Sequence, residues 1–128
     1  VAVAFCDRPG MTEQEAARLQ SSFGGGMGRM REVCGAVSGM LFVLSSLYGY
    51  DTPGDDESKK VLYGQVQELA AAFREANGTI ICRELLDHPS TDPNPTPRTA
   101  EFYAVRPCAR FVLTAGELME RFLEEHPR

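Results

Sequence analysis

From Val33 to Tyr50 the chain runs 18 residues without a charge. Val33, Val37, Met40, Leu41, Leu44 and Tyr48 recur there at helical spacing, and Phe42 and Val43 fill other sides. A helix that is apolar nearly all round needs cover on every side. It belongs in a membrane or at the centre of a bundle. This stretch holds three serines and three glycines between charged flanks. The reading is a central buried helix near 31–48, starting near Met30, with no transmembrane segment.

The rest of the chain supplies the cover. Thr12 and Glu15 have capping-box spacing and open a helix with Ala16, Leu19, Gln20 and Phe23 on one face. Gly24-Gly25-Gly26 ends it. Leu62, Val66, Leu69, Phe73 and Ala76 form a single stripe, which predicts a helix from about Asp56 to Ala76 stopped by Asn77-Gly78. Thr79 is read as the cap of a short helix through Leu86. Asp87 to Arg98 carries four prolines and reads as an extended loop, with a brief helical turn around Thr99 to Tyr103. Pro107 opens the last helix, whose apolar face is Cys108, Phe111, Val112, Ala115, Leu118, Met119 and Phe122. No segment alternates polar and apolar residues, so no sheet is expected.

The expectation is an all-α fold: a compact bundle of about five helices in one domain spanning 1–128. The opening Val1-Ala2-Val3-Ala4-Phe5 reads as the tail of a longer apolar segment, so N-terminal residues of a first helix are expected upstream. With 13 basic and 18 acidic residues the net charge is -5, and a nucleic-acid module with its basic excess is not expected. The apolar second helix suggests a homodimer. Four cysteines are too few for a disulfide-dense secreted scaffold, and the chain is expected in the cytoplasm. His88 and His126 read as solvated surface residues.

Chemistry, if any, rests on cysteine. Cys34 falls in the first turns of the central helix, Cys82 just past Thr79, and Cys108 just past Pro107. Helix starts present free N–H groups and a positive dipole end, which favour the thiolate that acts as nucleophile or metal ligand. Arg31, Arg83, Arg106 and Arg110 add nearby positive charge. The plainer alternative is that these are small apolar fillers. Cys6 is expected to be incidental. No CxxC pair gives a zinc-ribbon or thioredoxin signature. Gly24, Gly25, Gly26 and Gly28 make either an anion-binding nest or a tight connection. Gly35 and Gly39 share a helical face that admits close approach of another backbone or a cofactor.

Phe23-Gly24-Gly25-Gly26-Met27-Gly28-Arg29-Met30 followed by Cys34-Gly35-Ala36-Val37-Ser38-Gly39 resembles the C-GCAxxG-C-C family of redox-active proteins. Ile81-Cys82-Arg83-Glu84-Leu85-Leu86 and the late Cys108 are similar to its later parts. The resemblance implies a redox role, or a metal centre, for Cys34, Cys82 and Cys108. It places the family's early cysteine about one helical turn before Val1 and does not match it to Cys6.

Three readings follow. The first is reversible thiol/disulfide chemistry among Cys34, Cys82 and Cys108 with an unidentified redox partner. The second is an iron-sulfur cluster or zinc held by these cysteines and an upstream one. The third is a non-catalytic helical module that packs its cysteines in the core and self-associates through the Gly35/Gly39 face.

Overall fold

The computed structural model describes residues 1–86, 91–92 and 108–126. Five right-handed helices occur among them: α1 (Glu13–Gln20), α2 (Gly35–Tyr48), α3 (Asp56–Asn77), α4 (Cys82–Leu85) and α5 (Cys108–Glu125). The all-α expectation holds. Among the described residues the only β pairing is one isolated antiparallel bridge, Val33 to Ile81. The proline-rich stretch, except residues 91–92, lies outside the described residues, as do His88, Pro107 and the turn expected around Thr99–Tyr103.

The core is α2 packed against α3 and α5. Val37, Met40, Val43 and Leu44 form one buried cluster with Leu62, Leu69 and Phe73 of α3 and with Phe111, Ala115, Met119 and Phe122 of α5. Phe73 and Phe111 pack edge to face with centroids 6.3 Å apart. Each large side chain buried there contributes on the order of 1.5–3 kcal/mol. Among the described residues no helix is long and apolar enough to cross a membrane.

Several boundaries depart from expectation. α2 starts at Gly35, not near Met30, because Met27, Arg29 and Arg31 take positive φ and Val33 is used in the bridge. α1 forms its capping box, with Glu15 N donating to Thr12 Oγ1 at 3.1 Å and Thr12 N donating to Glu15 Oε1 at 3.2 Å. Its expected apolar face buries only Ala16, and Leu19 remains 52% exposed. Ala16 packs instead with Ala2 and Cys6 in a small separate cluster. The cap of α4 is Ile81, not Thr79. Thr79 Oγ1 accepts from Ile81 N and donates to Glu84, bracing the turn before the helix. His126 is half-buried and stacks on Phe122 with centroids 4.2 Å apart, so it is not a solvated surface residue.

Candidate functional site: three cysteines on one cavity

Between α1 and α2 the chain makes a 3-10 turn (Ser21–Phe23) and then winds the opposite way. Gly25, Gly26, Met27, Gly28 and Arg29 all have φ between 61° and 72°. This is a turn of left-handed helix, a conformation that costs an L-residue roughly 1–2 kcal/mol and glycine little. The glycines make the turn affordable at three of its five positions. The N–H groups of Gly28, Arg29, Arg31 and Glu32 bond to the carbonyls of Gly24, Gly25 and Gly26. These bonds close the turn into a tight connection between α1 and α2.

The left-handed turn brings Arg31 and Glu32 against the segment before α4. Cys34 N donates to Ile80 O at 2.8 Å, and Cys82 N donates to Glu32 O at 2.6 Å. These bonds flank the Val33–Ile81 bridge, which makes Cys34 and Cys82 diagonal neighbours on one face of the pairing. Arg83 secures the outer side: its N and Nη1 both donate to Arg31 O, and its guanidinium pairs with Glu32 at 3.0 Å. Gly26 lies beneath this junction. A Cβ there would stand 2.7 Å from Cys82 Cβ and 2.8 Å from Arg31 Cα.

The result is a cavity of about 320 Å³ lined by Cys34, Cys82 and Cys108, with Gln20, Arg29 and Arg31 as its longer polar side chains. Gly24, Gly25, Gly26 and Gly35 also line it. Of the six glycines expected at a site, Gly28 and Gly39 do not. Gly35 faces the Phe23 carbonyl, and Gly39 faces Val1 and Ala2, so the small-residue face of α2 is covered by this chain's own residues. Cys6 stays apart in its small cluster.

Cys34, Cys82 and Cys108 are free thiols. Burial pushes the Cys34 thiol up from its ordinary value; Cys82 and Cys108 push it the same way, and the N–H groups of Ala36 and Val37 oppose them. Cys34 is therefore held protonated at neutral pH. Cys82 has a different neighbour. Arg31, only 5% exposed, places Nη1 3.8 Å from Cys82 Sγ. A buried guanidinium thus stands beside the Cys82 sulfur. Cys108, the first residue of α5, is half-buried at the cavity wall.

Among the described residues no group of three His, Cys, Asp or Glu side chains is arranged to hold a metal ion. All three cysteines line one cavity, and Cys34 belongs to the buried core as well.

Sequence reasoning missed Gln20 and Arg29 as wall residues. Gln20 was placed on the face of α1 otherwise made of Ala16, Leu19 and Phe23, and a polar residue on such a face is the signal that was available. Arg29 sits within the glycine run, where nothing in the residue spacing announces five successive left-handed residues.

No curated protein and no solved structure matches the chain. Residues 1–122 match the family described as "Putative redox-active protein (C_GCAxxG_C_C)". That match covers the glycine turn, the bridge and all three cavity cysteines, and on it the chain belongs to the C_GCAxxG_C_C family.

Proposed function

We propose that the chain is a thiol redox protein whose working pair is Cys34 and Cys82, with Cys108 as a third thiol at the same cavity. The observation that carries the reading is the convergence of three of the four free cysteines on one cavity, with the Arg31 guanidinium at Cys82. Cys82 is assigned as the attacking sulfur, because the Arg31 guanidinium donates to its Sγ at 3.8 Å. Cys34, kept protonated by burial, is the resolving thiol. When the pair closes, each thiol gives up one electron and one proton, an S–S bond forms, and an external two-electron oxidant accepts both electrons.

Diagonal neighbours in an antiparallel pairing stand about 7–8 Å apart. Disulfides need Cα separations of roughly 4.4–6.8 Å. Closing the bond therefore draws the start of α2 towards the start of α4.

The test is a thiol count before and after reduction, with metal and acid-labile sulfide analysis, on protein purified without oxygen. The expected result is a metal-free protein in which oxidation removes two thiols and peptide mapping finds Cys34 joined to Cys82. Cys108→Ser should still form that bond. Stoichiometric iron with sulfide, or bound zinc, would overturn the reading in favour of a metal centre. An unchanged thiol count would leave the cysteines as packing residues.

A further inference from the structure

The residues that line the cavity divide by depth. Phe23, 37% exposed, and Val112, 45% exposed, reach both the cavity and solvent, so they mark its mouth. Cys108 stands four residues before Val112, one turn away on the same face of α5, and is half-buried. Gly26, Arg31, Cys34, Ala36 and Cys82 line the same space and are buried, so they form its floor. The pair that makes the proposed bond is thus set behind Cys108. Thiol exchange needs contact between the attacking sulfur and the disulfide, and its rate depends on access. A disulfide carried on a large molecule meets Cys108 at the mouth and cannot pass whole into a cavity of about 320 Å³. The rim is apolar at Phe23 and Val112, as the centre of a protein contact face is. Burial pushes the Cys34 thiol up, and Cys82 and Cys108 add to it, so both other sulfurs stand within electrostatic reach of Cys34.

We infer that Cys108 is the entry thiol of the site: it takes up a disulfide from a partner protein at the mouth and hands it to Cys82 and Cys34 on the floor. The inference rests on the thiol-exchange reading above and adds the route by which the oxidant reaches the pair. Cys108 Sγ, as thiolate, attacks one sulfur of the partner disulfide, forming a mixed disulfide and releasing the first partner thiolate. Cys82 Sγ then attacks Cys108 Sγ, forming a Cys82–Cys108 bond and releasing the second partner thiolate. Cys34 Sγ attacks Cys82 Sγ, gives up its proton, and releases Cys108 as a thiolate that is protonated again. The Cys34 and Cys82 thiols are oxidised by two electrons, and the partner disulfide is reduced to two thiols that take up both protons. Cys108 is regenerated, and nothing else is consumed.

The test compares two oxidants that differ in bulk and share their reactive group. One is bis(2-hydroxyethyl) disulfide, and the other is a poly(ethylene glycol) disulfide with the same alkyl groups beside its sulfurs. Each rate with the reduced full chain is divided by that reagent's rate with free dithiothreitol, and acid quenching with peptide mapping locates every bond. Cys34→Ser with Cys82→Ser leaves Cys108 in the cavity, and Cys34→Ser with Cys108→Ser leaves Cys82. The polymer should add to Cys108 at least about tenfold faster than to Cys82, and the small reagent should discriminate less. In the otherwise unaltered chain, Cys108→Ser should slow the joining of Cys34 to Cys82 by the polymer at least about tenfold more than by the small reagent. Cys108→Ala should do the same, and far-ultraviolet circular dichroism of each variant separates a lost thiol from a lost fold. Three results would overturn the inference and leave the thiol-exchange reading standing: equal uptake at Cys82 and Cys108, an equal slowing of both reagents by Cys108→Ser, or polymer that adds to Cys108 and stays there while the small reagent joins Cys34 to Cys82. A Cys34–Cys82 bond formed by neither reagent would overturn both.

Discussion

At the scale of single residues, the two members of the proposed pair are set apart by their surroundings. Cys34 is buried and pushed up by its neighbours, whereas Cys82 touches a guanidinium. Alkylation with iodoacetamide at neutral pH should therefore modify the half-buried Cys108 first and Cys34 last. The Cys34 rate should keep rising with pH beyond the ordinary thiol range, as followed by peptide mass spectrometry. Gly26 offers a second test at this scale. Gly26→Ala meets both a left-handed φ and three atoms within 2.8 Å, whereas Gly28→Ala meets the φ alone, with nothing within 4 Å. Urea unfolding should give a loss of about 1 kcal/mol for Gly28→Ala and clearly more than about 2 kcal/mol for Gly26→Ala. Equal losses would mean that the contact with Cys82 is not what requires glycine.

At the scale of elements, the helices divide by how they are started. α1 and α3 begin with side-chain caps, Thr12 onto Glu15 N and Asp55 onto Ser58 N. α2 and α4 begin at the bridge, and neither makes a side-chain cap bond. Their starts are held by the backbone pairing of 32–34 with 80–82, so tertiary structure replaces capping at the two helix starts that carry Cys34 and Cys82. Thr12→Ala should cost about 1 kcal/mol in an equilibrium melt and leave cysteine reactivity unchanged, since it acts on α1 alone. The same division explains what could be read in advance. The stripe of α3 and the capping box of α1 announce themselves by spacing. The true start of α2 does not, because it depends on a pairing between segments far apart in sequence and on residues such as Arg31 at φ 60°. The cysteines were legible as candidates by residue type and helix position. Their meeting at one cavity was not, since nothing local specifies which face of the glycine turn folds inward.

At the scale of the molecule, one core of α2, α3 and α5 supports the cysteine cavity at its edge. Phe73 is fully buried in that core and touches Phe111 edge to face. Phe73→Ala should lower unfolding free energy by about 3–5 kcal/mol. The whole fold also carries the signature of Cys34. Its thiol ionises at higher pH in the folded chain than in the unfolded one, where the ordinary value is 9.0. Below that value both states hold the proton and the contribution is fully present. Above it the unfolded state loses the proton first, so stability should fall as pH rises from 9.0 through the folded-state value. Cys34→Ala should flatten that alkaline decline in urea titrations at successive pH values; an unaltered slope would place its origin elsewhere.

The placement of Cys34 at the N-cap of the central helix closes a thermodynamic cycle. Folding and disulfide formation share the same bond, so the difference in folding stability between the dithiol and disulfide forms equals the difference in the pair's reduction free energy between folded and unfolded chains. If drawing α2 towards α4 weakens the fold, every 1.4 kcal/mol lost makes the pair about 30 mV more oxidising. A pair of melting curves, one for each redox form, would then serve as an electrode: the helix at the centre of the core sets the voltage at its edge.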